Sequence, residues 1–187
     1  MGHLEIADTG EDGKNEIIFS NGNNADKVTE FKFLNSNGEV DKQFKIATQS
    51  SQFAIINWPD INKKSNILLT ENNNIRLVDL NGETVIQLNA PGCRTFGDVK
   101  AVAVKFKKNE PAFLAVRKIL MPDIAVLYIY DIKGNLVYNK TETFTGNMNA
   151  TLVAVPTDEE GGEKLLVGSE GKNYGSQLIE YSISQKE

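Results

Sequence analysis

The sequence has almost none of the residues on which most nucleophilic and zinc chemistry depends. Its 187 residues include one histidine, His3, and one cysteine, Cys93. One cysteine cannot form an intrachain disulfide, and we expect it to be a buried or turn-adjacent thiol. His3 lies at the N-terminus, which we expect to be flexible and therefore unable to hold a Ser–His–Asp triad or a zinc ion. The sequence therefore predicts that the chain is not an enzyme.

Long apolar runs and an excess of positive charge are also missing. No apolar stretch approaches the roughly 20 residues that a helix needs to cross a bilayer. The net charge of −5 at pH 7 argues against a general affinity for nucleic acid, which depends on clustered lysine and arginine. We predict neither a membrane span nor a nucleic-acid partner.

Helical patterning is the next absence. No long window keeps apolar residues on one helical face, and the frequent asparagines favour turns over helix interiors. The chain consists instead of short apolar and β-branched runs bounded by Asn, Gly, Asp and Ser, which is typical of strands. The predicted fold class is all-β.

A glycine-closed turn between two strand-like runs recurs along the chain. The turns end at Gly38, Gly82 and Gly134, and an interval of about 40 to 50 residues indicates an array of small sheets. Aligned on these turns, the sequence divides into repeats at residues 4–46, 52–88, 99–144 and 151–187. Each is predicted to be an antiparallel four-stranded blade, except that the last repeat lacks its fourth strand. Together they predict one β-propeller or partial-propeller domain over residues 1–187.

The incomplete last repeat leaves two explanations open. The chain could be a four-bladed or incomplete propeller with a three-stranded last blade, or a part of a larger ring. The second explanation would leave blade faces and a sheet edge uncovered, and such edges promote association. Self-association through open blade edges is therefore one predicted property.

The most distinctive local segment is residues 8–16, which we call the acidic loop. It places carboxylates at Asp8, Asp12 and Glu16, and Gly13 follows the second of them. Oxygen ligands from a tight loop suit a hard cation such as calcium. The alternative is a tight hairpin in which aspartate side chains accept hydrogen bonds from backbone N–H groups.

This segment resembles the FG-GAP and VCBS repeats of integrin-like β-propellers, whose loop Asp-x-Asp-x-Asp-Gly-x-x-Asp precedes an apolar strand. Asp8, Asp12, Gly13 and Glu16 match that pattern, whereas Gly10 replaces its second aspartate. The resemblance is best over residues 4–46. It implies a propeller used for adhesion or ligand binding, a calcium ion held by Asp8, Asp12 and Glu16, and an extracellular or periplasmic location.

The function predicted from these features is a non-catalytic binding or scaffold module for a protein or glycan ligand. Binding residues of such scaffolds concentrate in loops, and the loops expected to share one end are residues 8–15, 57–65, 107–111 and 156–163. One alternative is a fragment of a larger propeller enzyme whose catalytic residues lie outside this chain. Another is an intracellular scaffold like the WD-repeat proteins. Trp58 is expected either to line a ligand surface or to be a partly buried anchor.

Overall fold

A computed structural model describes residues 2–23, 25–50, 52–121, 123–143, 151–157, 162–170 and 176–182. The chain divides into two compact units. The N-terminal unit consists of residues 1–57 and 64–96, and the C-terminal unit consists of residues 58–63 and 97–187. Each unit holds two of the sheets.

The N-terminal unit contains two four-stranded antiparallel sheets whose strands follow one another in chain order. The strands of the first sheet are β1 (Gly2–Ala7), β2 (Glu16–Asn23), β3 (Val28–Leu34) and β4 (Val40–Ala47). Those of the second sheet are β5 (Phe53–Asn57), β6 (Ser65–Glu71), β7 (Asn74–Val78) and β8 (Thr84–Asn89). Alternate residues of β3 are buried, as expected for a sheet with one covered face.

The C-terminal unit contains the third and fourth sheets, also antiparallel and in chain order. The strands of the third sheet are β9 (Val99–Val104), β10 (Phe113–Met121), β11 (Ile124–Tyr130) and β12 (Leu136–Thr143). Those of the fourth sheet are β13 (Thr151–Pro156), β14 (Glu163–Glu170) and β15 (Ser176–Tyr181). Within the described residues the fourth sheet has three strands.

The three glycine turns are built alike, which explains why they are visible in the sequence. The first residue of each turn accepts backbone N–H hydrogen bonds through its side-chain oxygen, and it is Asn35, Asp79 and Asp131 in the three sheets. The closing glycines have φ of 79°, 89° and 81°, a region that a residue with a Cβ rarely adopts. A register shift beside each turn completes the bulged hairpin that such a glycine allows.

Each unit has an apolar core between its two sheets. In the N-terminal unit the buried residues Ile18, Phe31 and Phe33 of the first sheet pack with Phe53 and Leu69 of the second. Each strand presents one face to this core because side chains alternate along it. The two sheets are therefore joined by apolar faces.

The core of the C-terminal unit follows the same plan. Val104, Ala115 and Leu127 of the third sheet pack with Leu165 and Val167 of the fourth. Within each unit, the first strands of the two sheets approach one another. That arrangement is the one expected for neighbouring propeller blades.

The predicted all-β class and the repeated antiparallel sheets of three to four strands are confirmed. The sequence pattern predicts the first two strands of the third sheet at residues 101–106 and 112–117, whereas β9 occupies Val99–Val104 and β10 is longer, at Phe113–Met121. The expectation of a flexible N-terminus is wrong for His3, which lies in β1, with its ring edge-on to Phe53 at 5.1 Å. Closure into a ring and the grouping into one domain stay predictions.

Candidate functional site in the loops of the N-terminal unit

The acidic loop connects β1 to β2 and brings its three predicted ligands together. One carboxylate oxygen from each of Asp8, Asp12 and Glu16 lies within 4.8 Å of the others. The loop can turn this sharply because Gly13 has a φ of 81°. Successive carboxylates are four positions apart in the sequence, so the way the loop folds is what brings them together.

Hydrogen bonds within the loop hold two of the carboxylates. The Asp8 carboxylate accepts from the backbone N–H groups of Asp12 at 3.2 Å and Gly13 at 2.8 Å. The Glu16 carboxylate accepts from both the N–H and the hydroxyl of Thr9 at 2.8 Å. These contacts include the aspartate-capped turn that the sequence offers as the alternative to a cation site. Both oxygens of Asp8 keep a further lone pair for a ligand, and Glu16 keeps those of Oε1, because its Oε2 accepts both bonds.

The donor set fits a hard cation chemically, because all three side chains offer anionic oxygen. Two features weaken the fit. Calcium takes about six to eight oxygen ligands, and Gly10 supplies none from its side chain. The Nζ of Lys14 lies 3.7 Å from Asp12 Oδ2 and so already provides an exposed positive charge beside the cluster.

A cleft of about 360 Å³ lies beside the acidic loop. It is lined by residues 9–11 of that loop, by residues 64–65 and 79–81 of the second sheet, and by Lys42 of β4. Lys42 crosses between the sheets, with its Nζ donating to Asn81 Oδ1 at 2.7 Å. The loops of two neighbouring sheets thus meet at one end of the N-terminal unit, as predicted for this pair.

The cleft carries charges of both signs. Lys42 and Lys64 contribute positive charge, and Glu11 and Asp79 contribute negative charge. Burial raises the pKa of Asp79, but N–H donation from Glu83 and Asn81 outweighs it and leaves that pKa below its usual value. Asp79 is therefore ionised at neutral pH, and the mixed lining suits a polar ligand with several hydrogen-bonding groups.

The corresponding loops of the C-terminal unit are tied together by hydrogen bonds between Lys105 and Glu163. The N–H of Glu163 donates to the carbonyl of Lys105 at 2.7 Å, and the Glu163 carboxylate accepts from the Lys105 N–H at 2.6 Å. Gly162 packs so close to the carbonyl of Phe106 that a Cβ would collide with it. The acidic residues 158–160 of the fourth predicted loop lie outside the described residues.

Trp58 is fully buried, and its indole N–H donates to the carbonyl of Ala112 at 2.7 Å. The carboxylate of Asp60 accepts from the N–H of Ala112 at 2.7 Å. Both contacts lie within the C-terminal unit and anchor its segment 58–63, so Trp58 does not line a ligand surface. Cys93 is buried in the turn after β8, with its N–H bonded to the carbonyl of Ala90.

One charged cluster was not predicted from the sequence. Arg117 of β10 is 1% exposed and donates to the carbonyls of Thr151 and Gly168. Its Nη2 lies 3.9 Å from the carboxylate of Glu142, which also accepts from the Tyr181 hydroxyl at 3.1 Å. An arginine inside the apolar run of β10 is the signal that could have revealed it.

We found no family model, no curated protein and no solved structure that matches this chain. Among the described residues, no helix is long and apolar enough to span a membrane.

Proposed function

We propose that this chain is a non-catalytic binding module of the β-propeller type that presents its loops to a protein or glycan ligand. The observation that carries the proposal is the cleft of the N-terminal unit, where loops from two rigid sheets converge. The contact between Asn57 Nδ2 and Glu11 Oε1, at 3.4 Å, joins the two loops beside it. Self-association through open blade edges is part of the same proposal.

Gly10 offers a direct test of the cleft. A Cβ at this position would have only the Asp12 side chain near it, at 4.0 Å, and the φ of Gly10 lies outside the left-handed region. The substitution Gly10→Trp should therefore fill the cleft without straining the backbone. Gln87→Trp, on the exposed side of β8, is the matched control because it adds the same side chain outside the cleft.

The measurement is binding of the labelled chain to an oligosaccharide array and to a displayed peptide library. We expect a ligand whose binding falls at least about tenfold in Gly10→Trp and is retained in Gln87→Trp. Failure to retain any member of either library, or equal binding by both variants, would contradict the proposal.

A calcium ion in the acidic loop is a second proposal, supported by the convergence of Asp8, Asp12 and Glu16. Asp12 is the best position to vary, because its contacts to Lys14 contribute least to the loop, whereas Asp8 and Glu16 each accept two hydrogen bonds. If the loop holds calcium, the ion would stiffen residues 9–11 of the cleft.

Calorimetric titration with calcium chloride tests this second proposal. We expect a dissociation constant of about 1 mM or lower for the unmodified chain and no heat for Asp12→Ala. Glu11→Ala is the matched control, since it removes one negative charge from the same loop but no member of the cluster. Absence of heat at millimolar calcium, or equal loss in both variants, would exclude a specific site.

A further inference from the structure

The outward face of the first sheet is apolar and open. Leu4 and Ile6 of β1 are 52% and 62% exposed, and they stand opposite Phe19 and Ile17 of β2. Four neighbouring apolar residues on one sheet face are costly to leave in water. We call them the receiving face.

The second sheet shows what such a face does when it is covered. Its residues Phe53 and Ile55 stand opposite Leu69 and Ile67. Leu4 and Ile6 are paired with β2 in the same way, so they are the equivalents of Phe53 and Ile55. In the second sheet this face packs against the first sheet, and Phe53, Ile67 and Leu69 are fully buried. The receiving face is therefore the repeat equivalent of a surface that already binds a sheet.

A matching surface is open on the fourth sheet. Leu165 and Val167 of β14 are buried in the C-terminal unit, so the alternate residue Leu166 points to the opposite face. Val153 stands opposite Leu166, and Leu178 stands opposite Gly168 on the same face. Leu178 is 67% exposed and Val153 is 44% exposed. We call these three residues the inserting face.

The register identifies the position that Leu178 holds. In the first sheet Ile18 stands opposite Phe33, and Phe31 stands opposite Ser20 two residues further along β2. In the fourth sheet Leu178 stands opposite Gly168, which is two residues further along β14 than Leu166. Leu178 is therefore equivalent to Phe31. The ring of Phe31 contacts that of Phe53 at a centroid distance of 5.3 Å, and Phe53 is the equivalent of Leu4.

The receiving face and its covered equivalent also share a cation at one edge. Lys32, opposite Phe19 in the first sheet, holds the position of Arg76, opposite Leu69 in the second. Arg76 donates across the established contact to the carbonyl of Ala47 at 3.2 Å. A cation thus stands beside the receiving face. On the inserting face Glu180, opposite Leu166, holds the position of Phe33, and its carboxylate is paired with Lys164 Nζ at 2.9 Å.

We infer that the occupant of the receiving face is the inserting face of a second copy of this chain, with Leu178 of one copy against Leu4 of the other. The chain carries both halves of the contact in exposed form, and their equivalents form the sheet-to-sheet contact of the N-terminal unit. The contact joins unlike surfaces, so it is heterologous and either closes into a ring or extends into a chain of copies. The inference deepens the self-association part of the proposed function and does not depend on what the cleft binds.

Sedimentation equilibrium of the unmodified chain and three variants tests the pairing. At about 100 μM we expect the unmodified chain to have an apparent mass above the 20.7 kDa of the monomer. Ile6→Glu and Leu178→Glu should each be monomeric, because their dissociation constants for self-association should be at least about tenfold higher. An equimolar mixture of the two variants should form a dimer, because one keeps the inserting face and the other the receiving face. Phe96→Glu, at another exposed apolar position, should associate like the unmodified chain.

A second measurement identifies the contact directly. In a Cys93→Ser background, a mixture of Leu4→Cys and Leu178→Cys chains should give a disulfide-linked dimer on mild oxidation at least about tenfold faster than either variant alone. A monomeric unmodified chain, a mixture of glutamate variants that stays monomeric, or equal crosslinking in all three samples would overturn the inference. None of these results would bear on ligand binding in the cleft, which the Gly10→Trp experiment decides separately.

Discussion

The two units join their sheets with different chemistry. In the N-terminal unit the contact is aromatic and aliphatic: Phe31, which stacks on Phe44 of its own sheet, lies edge-on to Phe53 of the second sheet at 5.3 Å. In the C-terminal unit a buried guanidinium, Arg117, donates to two carbonyls of the neighbouring sheet, whereas the arginine that crosses the N-terminal contact, Arg76, is half-buried and donates to one. The repeat therefore specifies which sheet faces meet, whereas the side-chain interactions that stabilise the contact differ between the two units.

The charged contact of the C-terminal unit has electrostatic consequences that the apolar one lacks. Burial lowers the pKa of Arg117, and the Glu142 carboxylate opposes that shift. Burial also raises the pKa of Tyr181 above its usual value, and the same carboxylate adds to the effect. Stability of this contact should therefore depend on pH at the alkaline end.

The largest expected effect comes from the apolar contact. Phe31→Ala removes a fully buried ring between two sheets and should reduce the free energy of unfolding by about 4 kcal/mol. Phe96→Ala, at an exposed position of the same unit, is the control and should change it by less than about 0.5 kcal/mol. Urea unfolding followed by circular dichroism measures both. A loss below about 1 kcal/mol for Phe31→Ala would mean that the ring is not a main contact.

Removal of the buried arginine should have the next largest effect. Arg117→Ala leaves two carbonyls without this donor and Glu142 without a close cation apart from Lys140, so we expect a loss of about 3 kcal/mol. Trp58 fluorescence follows the unfolding, because this only tryptophan is buried in the C-terminal unit. The exposed Arg94→Ala is the matched control. A neutral Arg117→Ala would show that this contact depends on packing alone.

Tyr181→Phe should have a smaller, pH-dependent effect. At neutral pH the lost hydrogen bond to Glu142 costs about 1 kcal/mol. The folded pKa of Tyr181 is raised, so its contribution is complete below the unfolded pKa of about 10 and is lost as the pH rises above that value. The difference in free energy of unfolding between the two proteins should therefore shrink above about pH 10. A constant difference from about pH 8 to about pH 11.5 would contradict this.

The smallest effect is expected where the two units are alike. Asp79→Asn should change stability by less than about 0.5 kcal/mol at pH 7, because Asn35 fills the same position in the first sheet. The folded pKa of Asp79 is lowered, so its contribution is present above the unfolded pKa of about 3.9 and is lost as the pH falls below it. Asp79→Asn should abolish that acid-dependent part, and thermal unfolding from pH 7 to about pH 3 measures it.

Asp131→Asn tests the same point in the C-terminal unit. Burial raises the pKa of Asp131, but hydrogen bonds from the side chain and N–H of Asn135 and the N–H of Lys133 leave it below the usual value. Its variant should therefore behave like Asp79→Asn. Opposite pH dependence in the two variants would show that the turns are not equivalent.

The strands and turns were largely predictable because their signals are local. A glycine with positive φ and an aspartate that caps its own turn depend on residues within four positions, as in Asp79 to Glu83. The convergence of Asp8, Asp12 and Glu16 is local in the same way. Short apolar runs bounded by polar residues, such as the one that forms β5 at Phe53–Asn57, indicate strands in the same local way.

The displaced strands of the third sheet show where local signals fail. Lys105 and Phe106 have strand-like neighbours, yet they form a loop that Glu163 holds from about 58 positions further along the chain. Arg117 was likewise missed, and the sequence left two alternatives open for Trp58, since their partners Gly168 and Ala112 are distant in sequence. No pattern in a short window reports such contacts.

The sequence by itself determined the fold class, the order of the strands, the three glycine turns and the acidic loop, because each results from steric and hydrogen-bonding preferences among near neighbours. Only the tertiary structure decided which sheet faces are covered. It buried Trp58 and Arg117, placed Lys42 across the cleft and left Leu4 and Leu178 in solvent. The physical reason is that burial depends on long-range packing between sheets, which alternating apolar residues permit but do not direct.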